Sequence, residues 1–301
     1  MSVIATGIAP ARTLATRLRG FVDLTKPRII ELLLVTTLPT MIVAAGGWPG
    51  WDLALATLAG GTLAAGGANA VNMYLDRDID AVMRRTRGRP LVTGVVSPSE
   101  ALAFAVTIEV VAFVELWALV NPLSAVLAVS ATLFYVFVYT LWLKRRSPHN
   151  IVIGGAAGAV PVLVGWSAVT GALGWPPLLL FALVFLWTPP HFWALAIRCK
   201  EDYRSVDVPM LPVVSSIGVT TTRILRYSVA VALVSLLFGW VADMSPIYWL
   251  PTTAAGAAMC IMALDLHRNP GEERAMRLFH WSIAYITVVF AALALDGLIM
   301  G

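Results

Sequence analysis

Asn72, Asp76 and Asp80 stand four residues apart in the run Asn72-Met-Tyr-Leu-Asp76-Arg-Asp-Ile-Asp80, and Arg84, Arg85, Arg87 and Arg89 follow directly. On a helix, a step of four advances only about 40° round the axis and about 6 Å along it. The three oxygen-bearing side chains therefore form a ladder on one face. Two carboxylates and an amide so arranged suit a hard divalent cation that also holds a phosphate. The competing account has acids at a helix end meeting water and the neighbouring arginines. It suits Asp78, which lies about 200° round from Asp76. It does not suit Asn72, because an amide near the end of an apolar helix is costly without a partner.

Other polar clusters point the same way with less force. Arg198-Cys-Lys200-Glu201-Asp202-Tyr203-Arg204 is either a solvated loop or the source of a second carboxylate, Asp202, facing the ladder across a bundle. Two acidic sites around one diphosphate would neutralise it as a leaving group, with arginines and lysines clamping its oxygens. Lys144-Arg145-Arg146 has the form of an orientation signal or a lipid-headgroup contact. That accounts for Arg145 and Arg146, whereas Lys144 and Asn150 either share that role or reach the site. In Trp187-Thr-Pro-Pro-His191-Phe-Trp193, two prolines are expected to break an apolar span and leave backbone groups to be satisfied in protein or a water-filled cavity. His191 beside them belongs either to an interfacial aromatic belt or to a surface that meets a flat aromatic ligand or an iron. Glu109 and Glu115 show no basic partner and are given no role. Nucleotide and nucleophile signatures such as Walker A, GxGxxG and GxSxG are missing. Gly154-Gly155-Ala-Ala-Gly158 reads as a small-residue stripe for close helix packing.

The elements that must position these residues are membrane spans. Hydrophobic residues make up 59% of the 301, charged residues 13%, and the mean hydropathy is +0.82. A soluble domain carries about 25% charged residues, so the composition specifies an integral membrane protein. Apolar segments are expected near 28–46, 53–74, 100–120, 123–143, 151–170, 177–197, 227–245, 248–266 and 279–299, each close to the ~20 residues that cross a bilayer. With nine alternating spans and an internal N-terminus, all 21 Lys and Arg fall in the tail or in loops on one side. This distribution predicts a cytoplasmic N-terminus and an outer C-terminus. It also explains the net charge of +4 without nucleic acid. Residues 1–24 read as a cytoplasmic tail, or as a short transit peptide, being Arg-bearing and free of acids before Asp23. Cys199 and Cys260 lie too far apart in sequence to suggest zinc or a disulfide framework.

At these residues the chain resembles the UbiA superfamily of intramembrane prenyltransferases, whose first motif, Asn-x3-Asp-x3-Asp, is present as Asn72, Asp76 and Asp80. Within it, the likeness is to the protohaem IX farnesyltransferase (haem O synthase) branch. Thr25-Lys26-Pro27-Arg28, Arg89-Pro90-Leu91, Tyr139-Thr140 with Leu143-Lys144-Arg145-Arg146, Asn150 through Gly158, Trp187 through Trp193, and Asp202-Tyr203 with Val208 through Pro212 carry it. The superfamily's second motif is often Asp-x3-Asp, and here Arg198 stands four before Asp202. The resemblance implies an all-α nine-helix membrane bundle around a central cavity open to the cytoplasm, built as one domain over residues 25–301. It implies Mg2+ held by Asn72, Asp76, Asp80 and Asp202, with Asp76, Asp80 and Asp202 as the catalytic set. Arg28, Arg84 and Lys144 would bind phosphate oxygens, and Asn150, His191 and Tyr203 would contact substrate. The implied reaction joins farnesyl diphosphate to protohaem IX with addition of water. The implied setting is a cell inner membrane rather than a mitochondrial one, with haem A synthase or a terminal oxidase as possible recipients of the product. Two other functions fit parts of the pattern: prenylation of a quinone precursor or other ring, and a transporter or haem-binding membrane module without chemistry.

Overall fold

A computed structural model of the chain describes residues 13–301, apart from the side chains of Ile29, Leu32 and Leu33. The first half of the expected tail, with Arg12, lies outside the described residues. Its second half is a helix, α1 (Leu14–Leu24), capped by Thr13 and packed through Gly20 and Leu24. Glycine is needed there, because a Cβ at position 20 would sit 2.9 Å from Val95 and 3.0 Å from Val96.

The regular structure among the described residues is all helical, with no strand. After α1 come α2 (Pro27–Ala45), α3 (Trp51–Leu75), the short α4 (Arg77–Val82), α5 (Pro98–Leu119) and α6 (Pro122–Leu133). α6 runs on as a π-helical stretch, Phe134–Leu143. α7 (Asn150–Thr170), α8 (Trp175–Arg198), the short α9 (Lys200–Arg204) and α10 (Leu211–Val214), α11 (Ile217–Val241), α12 (Pro246–Arg268) and α13 (Glu272–Ile299) complete the chain. Local chemistry sets many of these bounds. Ser97, Asn121 and Ser245 cap their helices just before Pro98, Pro122 and Pro246, where a missing N–H costs nothing. Ser97 and Glu100 form a reciprocal capping box.

Among the described residues, eight helices are long and apolar enough to cross a membrane. At the first expected span, α2 contributes a shorter apolar stretch, Leu34–Ala45. Each long helix packs on its successor, and α13 returns to α2, which closes a ring bridged internally by α2 against α7 and α8 against α13. With little hydrophobic drive between helices in lipid, such packing depends on close approach. Gly60 and Gly67 of α3 provide it, since a Cβ on either would collide with Leu116 or Glu109 of α5.

Two boundaries and one expected break differ from expectation. α11 starts at Ile217 rather than near 227, placing Arg223 and Arg226 inside a helix. Ser216 caps it, and the hydroxyls of Thr220 and Thr222 bond back to the carbonyls of Ser216 and Gly218, so its polar first turns satisfy themselves. α13 starts at Glu272 rather than near 279, with Glu272 and Glu273 in the first turn, where the helix dipole favours acids. Pro189 and Pro190 do not break α8, which runs unbroken from Trp175 to Arg198. Both prolines are buried, and the packing of α7, α11 and α13 holds the helix where propensity alone would not.

Candidate active site

The ladder lies where α3 hands over to α4. Asp76 is the hinge between them, at φ −90° and ψ 2°. The i to i−4 bonding nevertheless continues, from Asp76 N to Asn72 O (2.9 Å) and from Asp80 N to Asp76 O (2.9 Å). The three side chains thus keep a common face despite the change of helix. Asn72, Asp76 and Asp80 retain 2%, 0% and 2% of their surface. Carboxylates that dry need cations, and each has one.

Lys144, at the end of the π-helical stretch, pairs with Asp76 Oδ2, and Asn72 Nδ2 donates to the same oxygen at 2.8 Å. Arg89 pairs with Asp80. Lys26 Nζ donates to Asn72 Oδ1 at 2.7 Å, so the amide is held between a cation and a carboxylate. Thr140 Oγ1 accepts a second hydrogen bond from Asn72 Nδ2 at 3.1 Å. Lys26 adopts a left-handed conformation, φ 54°, in the turn that enters α2, and Asn69 Nδ2 secures that turn by donating to Thr25 O at 3.0 Å. Burial, with Arg89 and Lys144 beside it, pulls the Lys26 ammonium down to about 7. Asp76 Oδ1 is buried with no hydrogen-bond partner, although Arg145 lies 3.7 Å away.

Asp78 points off the ladder as its angular position requires. Its carboxylate takes a bidentate pair of bonds from Arg145 at 2.6 and 2.7 Å, and that contact holds it at about pKa 2. A cavity of about 440 Å³ opens here between Leu75, Asp76, Thr140, Leu141 and Arg145.

The π-helical stretch shapes this wall. Lys144 N bonds to Tyr139 O and Thr140 Oγ1 to Tyr135 O, both five residues back. Wide turns of this kind cluster at functional sites. Here the turn stacks Tyr135 on Tyr139 with centroids 5.3 Å apart and delivers Thr140 and Lys144 to the ladder. Gly154 admits the Tyr139 ring, while nothing lies within 4 Å of a Cβ placed on Gly158.

The remaining expected residues divide. Asn150 is buried at the start of α7, where its Nδ2 donates to Lys144 O at 3.3 Å and its Oδ1 has no partner. Tyr203 of α9 packs with Ile79, Tyr139 and Ile151, bringing α9 over the ladder, and burial raises its phenol pKa. Asp202 is half-buried beside it. No three His, Cys, Asp or Glu side chains come together in metal-holding reach among the described residues, so Asp202 is not gathered with Asp76 and Asp80. Arg28 and Arg84 are exposed and make no ion pair among the described residues. Lys26 and Arg89 are basic residues that the structure brings into contact with the ladder. Arg198 lies 3.4 Å from Glu272. His191 is buried between α8 and α13.

Lys26 and Arg89 were visible in the sequence as members of motifs, yet no fixed spacing tied either to the ladder. Lys26 is 46 positions before Asn72, and Arg89 reaches Asp80 through an irregular segment without periodicity.

The donor set fits a small divalent cation. It consists of hard oxygens, one of them an orphaned buried carboxylate oxygen, and Mg2+ is commonly held by one or two carboxylates with substrate phosphates completing its shell.

Known proteins resemble this chain in sequence and in fold. The UbiA prenyltransferase family profile matches residues 33–286. The protoheme IX farnesyltransferase of Parafrankia sp. is 54% identical over 94% of this chain and 91% of its own length. That of Streptomyces coelicolor is 50% identical over 98% and 96%. Among solved structures, a UbiA homologue from Aeropyrum pernix superposes with a TM-score of 0.71 at 22% identity, covering 87% of this chain and 97% of that one. A homologue from Archaeoglobus fulgidus bound to GPP and Mg2+ superposes at 0.62 with 17% identity, covering 91% and 99%. With its buried Asn-Asp-Asp ladder, its ring of apolar helices and these matches, the chain belongs to the UbiA prenyltransferase family.

Proposed function

We propose that this chain transfers the farnesyl group of farnesyl diphosphate to a vinyl group of protohaem IX, with addition of water, to give haem O and diphosphate. The observation that carries the diphosphate half is the dry ladder of Asn72, Asp76 and Asp80 in contact with Lys26, Lys144 and Arg89. Lys144 and Arg89 neutralise the two carboxylates and Lys26 holds the Asn72 amide, and all three would donate to phosphate oxygens when substrate enters. Asn72, Asp76 and Asp80 would hold Mg2+, with Asp202 on the opposite element. That ion, when bound, supplies charge neutralisation at the diphosphate. The half-reaction breaks the allylic C–O bond, and the diphosphate leaves with its electron pair. The vinyl carbon then attacks the allylic cation, water adds at the neighbouring carbon, and one proton is released. Tyr135 and Tyr139, stacked on each other in the stretch that carries Thr140 and Lys144, would supply part of an aromatic wall that keeps bulk water from the cation.

The acceptor is assigned by the relatives, which carry the name protoheme IX farnesyltransferase at about half identity over nearly their whole length. Incubating membranes that hold the chain with labelled farnesyl diphosphate and protohaem, or with a quinone precursor, tests it. Label is expected in a haem of increased mass; a labelled quinone beside unmodified haem overturns the assignment. We further propose that residues 25–301 form one membrane domain in the cell inner membrane, with the N-terminus cytoplasmic.

A further inference from the structure

We propose that Ser282 fixes the tautomer of His191 and so leaves Nε2 of that histidine as the axial ligand for the iron of the porphyrin acceptor. The inference rests on the proposed use of haem and adds to it the group that holds the iron. Ser282 Oγ lies 2.6 Å from the carbonyl of Phe279 and donates its single proton there. The same oxygen lies 2.8 Å from His191 Nδ1. With its proton committed, it can only accept, so Nδ1 carries the hydrogen of the neutral imidazole and Nε2 keeps its lone pair. Nε2 has no hydrogen-bond partner among the described residues. The backbone of Ser282 is itself pinned, because Trp187 Nε1 donates to its carbonyl at 2.7 Å.

The ring is equally constrained. Trp187 stacks on it at 4.4 Å with an interplanar angle of 20°, and Phe279 at 4.6 Å with 26°. Two rings that near and that parallel cannot share one face of an imidazole, so both faces are covered. Phe192 stands perpendicular at 5.2 Å. With both faces and Nδ1 occupied, Nε2 is the ring atom left to take a ligand. A histidine that donates one N–H to a fixed oxygen and presents the other nitrogen bare has the arrangement of a metal-ligating imidazole, in which the outer partner sets orientation and basicity. Ser282 is a positioning residue in this account, since it acts through His191. The acceptor's iron would then fix the porphyrin relative to the α8–α13 seam, which orients its vinyl groups.

The test uses the full chain in lipid nanodiscs titrated with ferric protohaem and followed by absorption and electron paramagnetic resonance. A histidine-ligated iron spectrum is expected for the wild type and is lost in His191→Gln. Ser282→Ala weakens haem binding about tenfold, the lower end of the usual cost of losing an outer partner. Ser282→Thr, which keeps the hydroxyl, restores it. His191→Gly supplemented with imidazole regains the ligated spectrum, which separates ligation from folding. An unchanged iron spectrum in His191→Gln, or full-affinity binding by Ser282→Ala, overturns the inference. Farnesyl transfer measured on the same samples separates the two claims. Haem O formed by a wild type that shows no histidine ligation overturns the ligand assignment alone. Ligation without any haem O upholds it and refutes the proposed reaction.

Discussion

At Asn72 both ends of the side-chain amide are engaged, its oxygen accepting from Lys26 and its nitrogen donating to Asp76 and Thr140. An Asp in its place would add a third buried negative charge beside Asp76, and a Leu would strand Lys26. The sharpest prediction at this scale sets Lys26 against Arg28. Lys26→Met is expected to lower kcat/KM for farnesyl diphosphate by about 10²-fold, the usual effect of removing one preorganised electrostatic contact. Arg28→Met, at an exposed position, is expected to change it less than about threefold. Steady-state kinetics on both variants checks this, and the reverse order would return the phosphate-binding role to Arg28. The ladder was legible because four-residue spacing is a helix property that survives even the hinge at Asp76. Its cations were not, because Lys26 and Arg89 arrive from a turn and an irregular segment, where sequence distance says nothing of spatial distance. Ser282 gave no signal at all: a lone serine in an apolar helix looks like packing until its partner is seen.

Among the elements, the π-helical stretch Phe134–Leu143 couples packing to the site. Its widened turn directs Tyr139 against Gly154 while placing Thr140 and Lys144 on the ladder. A Cβ at position 154 would meet Tyr139 Cγ at 2.9 Å, and the ring is wedged against its stacked neighbour Tyr135. Gly154→Ala is therefore expected to cost about 1–3 kcal/mol through overpacking and to lower transfer activity by displacing Lys144. Gly158→Ala, with open space around its Cβ, should leave the melting temperature within a degree or two of wild type. Thermal unfolding of the two variants in detergent compares them, and equal melting temperatures would contradict the packing account. Hydropathy located the apolar elements well and their polar ends poorly. The early starts of α11 and α13 were hidden because Thr, Arg and Glu turns look like loop when scored for apolarity, although their side chains cap and complete a helix. α8 erred the other way, its prolines outweighed by neighbouring helices that no single stretch of sequence displays.

For the whole molecule, the ends of the bundle differ in character. The entry to α2, the exits of α3, α8 and α12 and the starts of α7, α11 and α13 share one end with the ladder, and the basic side chains collect there. The other end is closed by structural contacts, such as Asp296 accepting from the backbone and hydroxyl of Ser245 at the start of α12. This asymmetry predicts that a reporter fused after Gly301 is active only outside the cytoplasm, whereas one fused within the 83–97 segment is active only inside it. Activity of both reporters on one side would contradict the orientation. The central claim is that ionisation of the diphosphate depends on the charge at Asp76. Asp76→Asn keeps the shape of the side chain and its hydrogen bond to Asn72 but leaves Lys144 without its counter-charge. The direct measurement is single-turnover release of diphosphate from labelled farnesyl diphosphate with protohaem and Mg2+, in nanodiscs, for wild type and Asp76→Asn. A fall of about 10²–10³-fold with intact helical content is the predicted result; release at the wild-type rate would contradict the account.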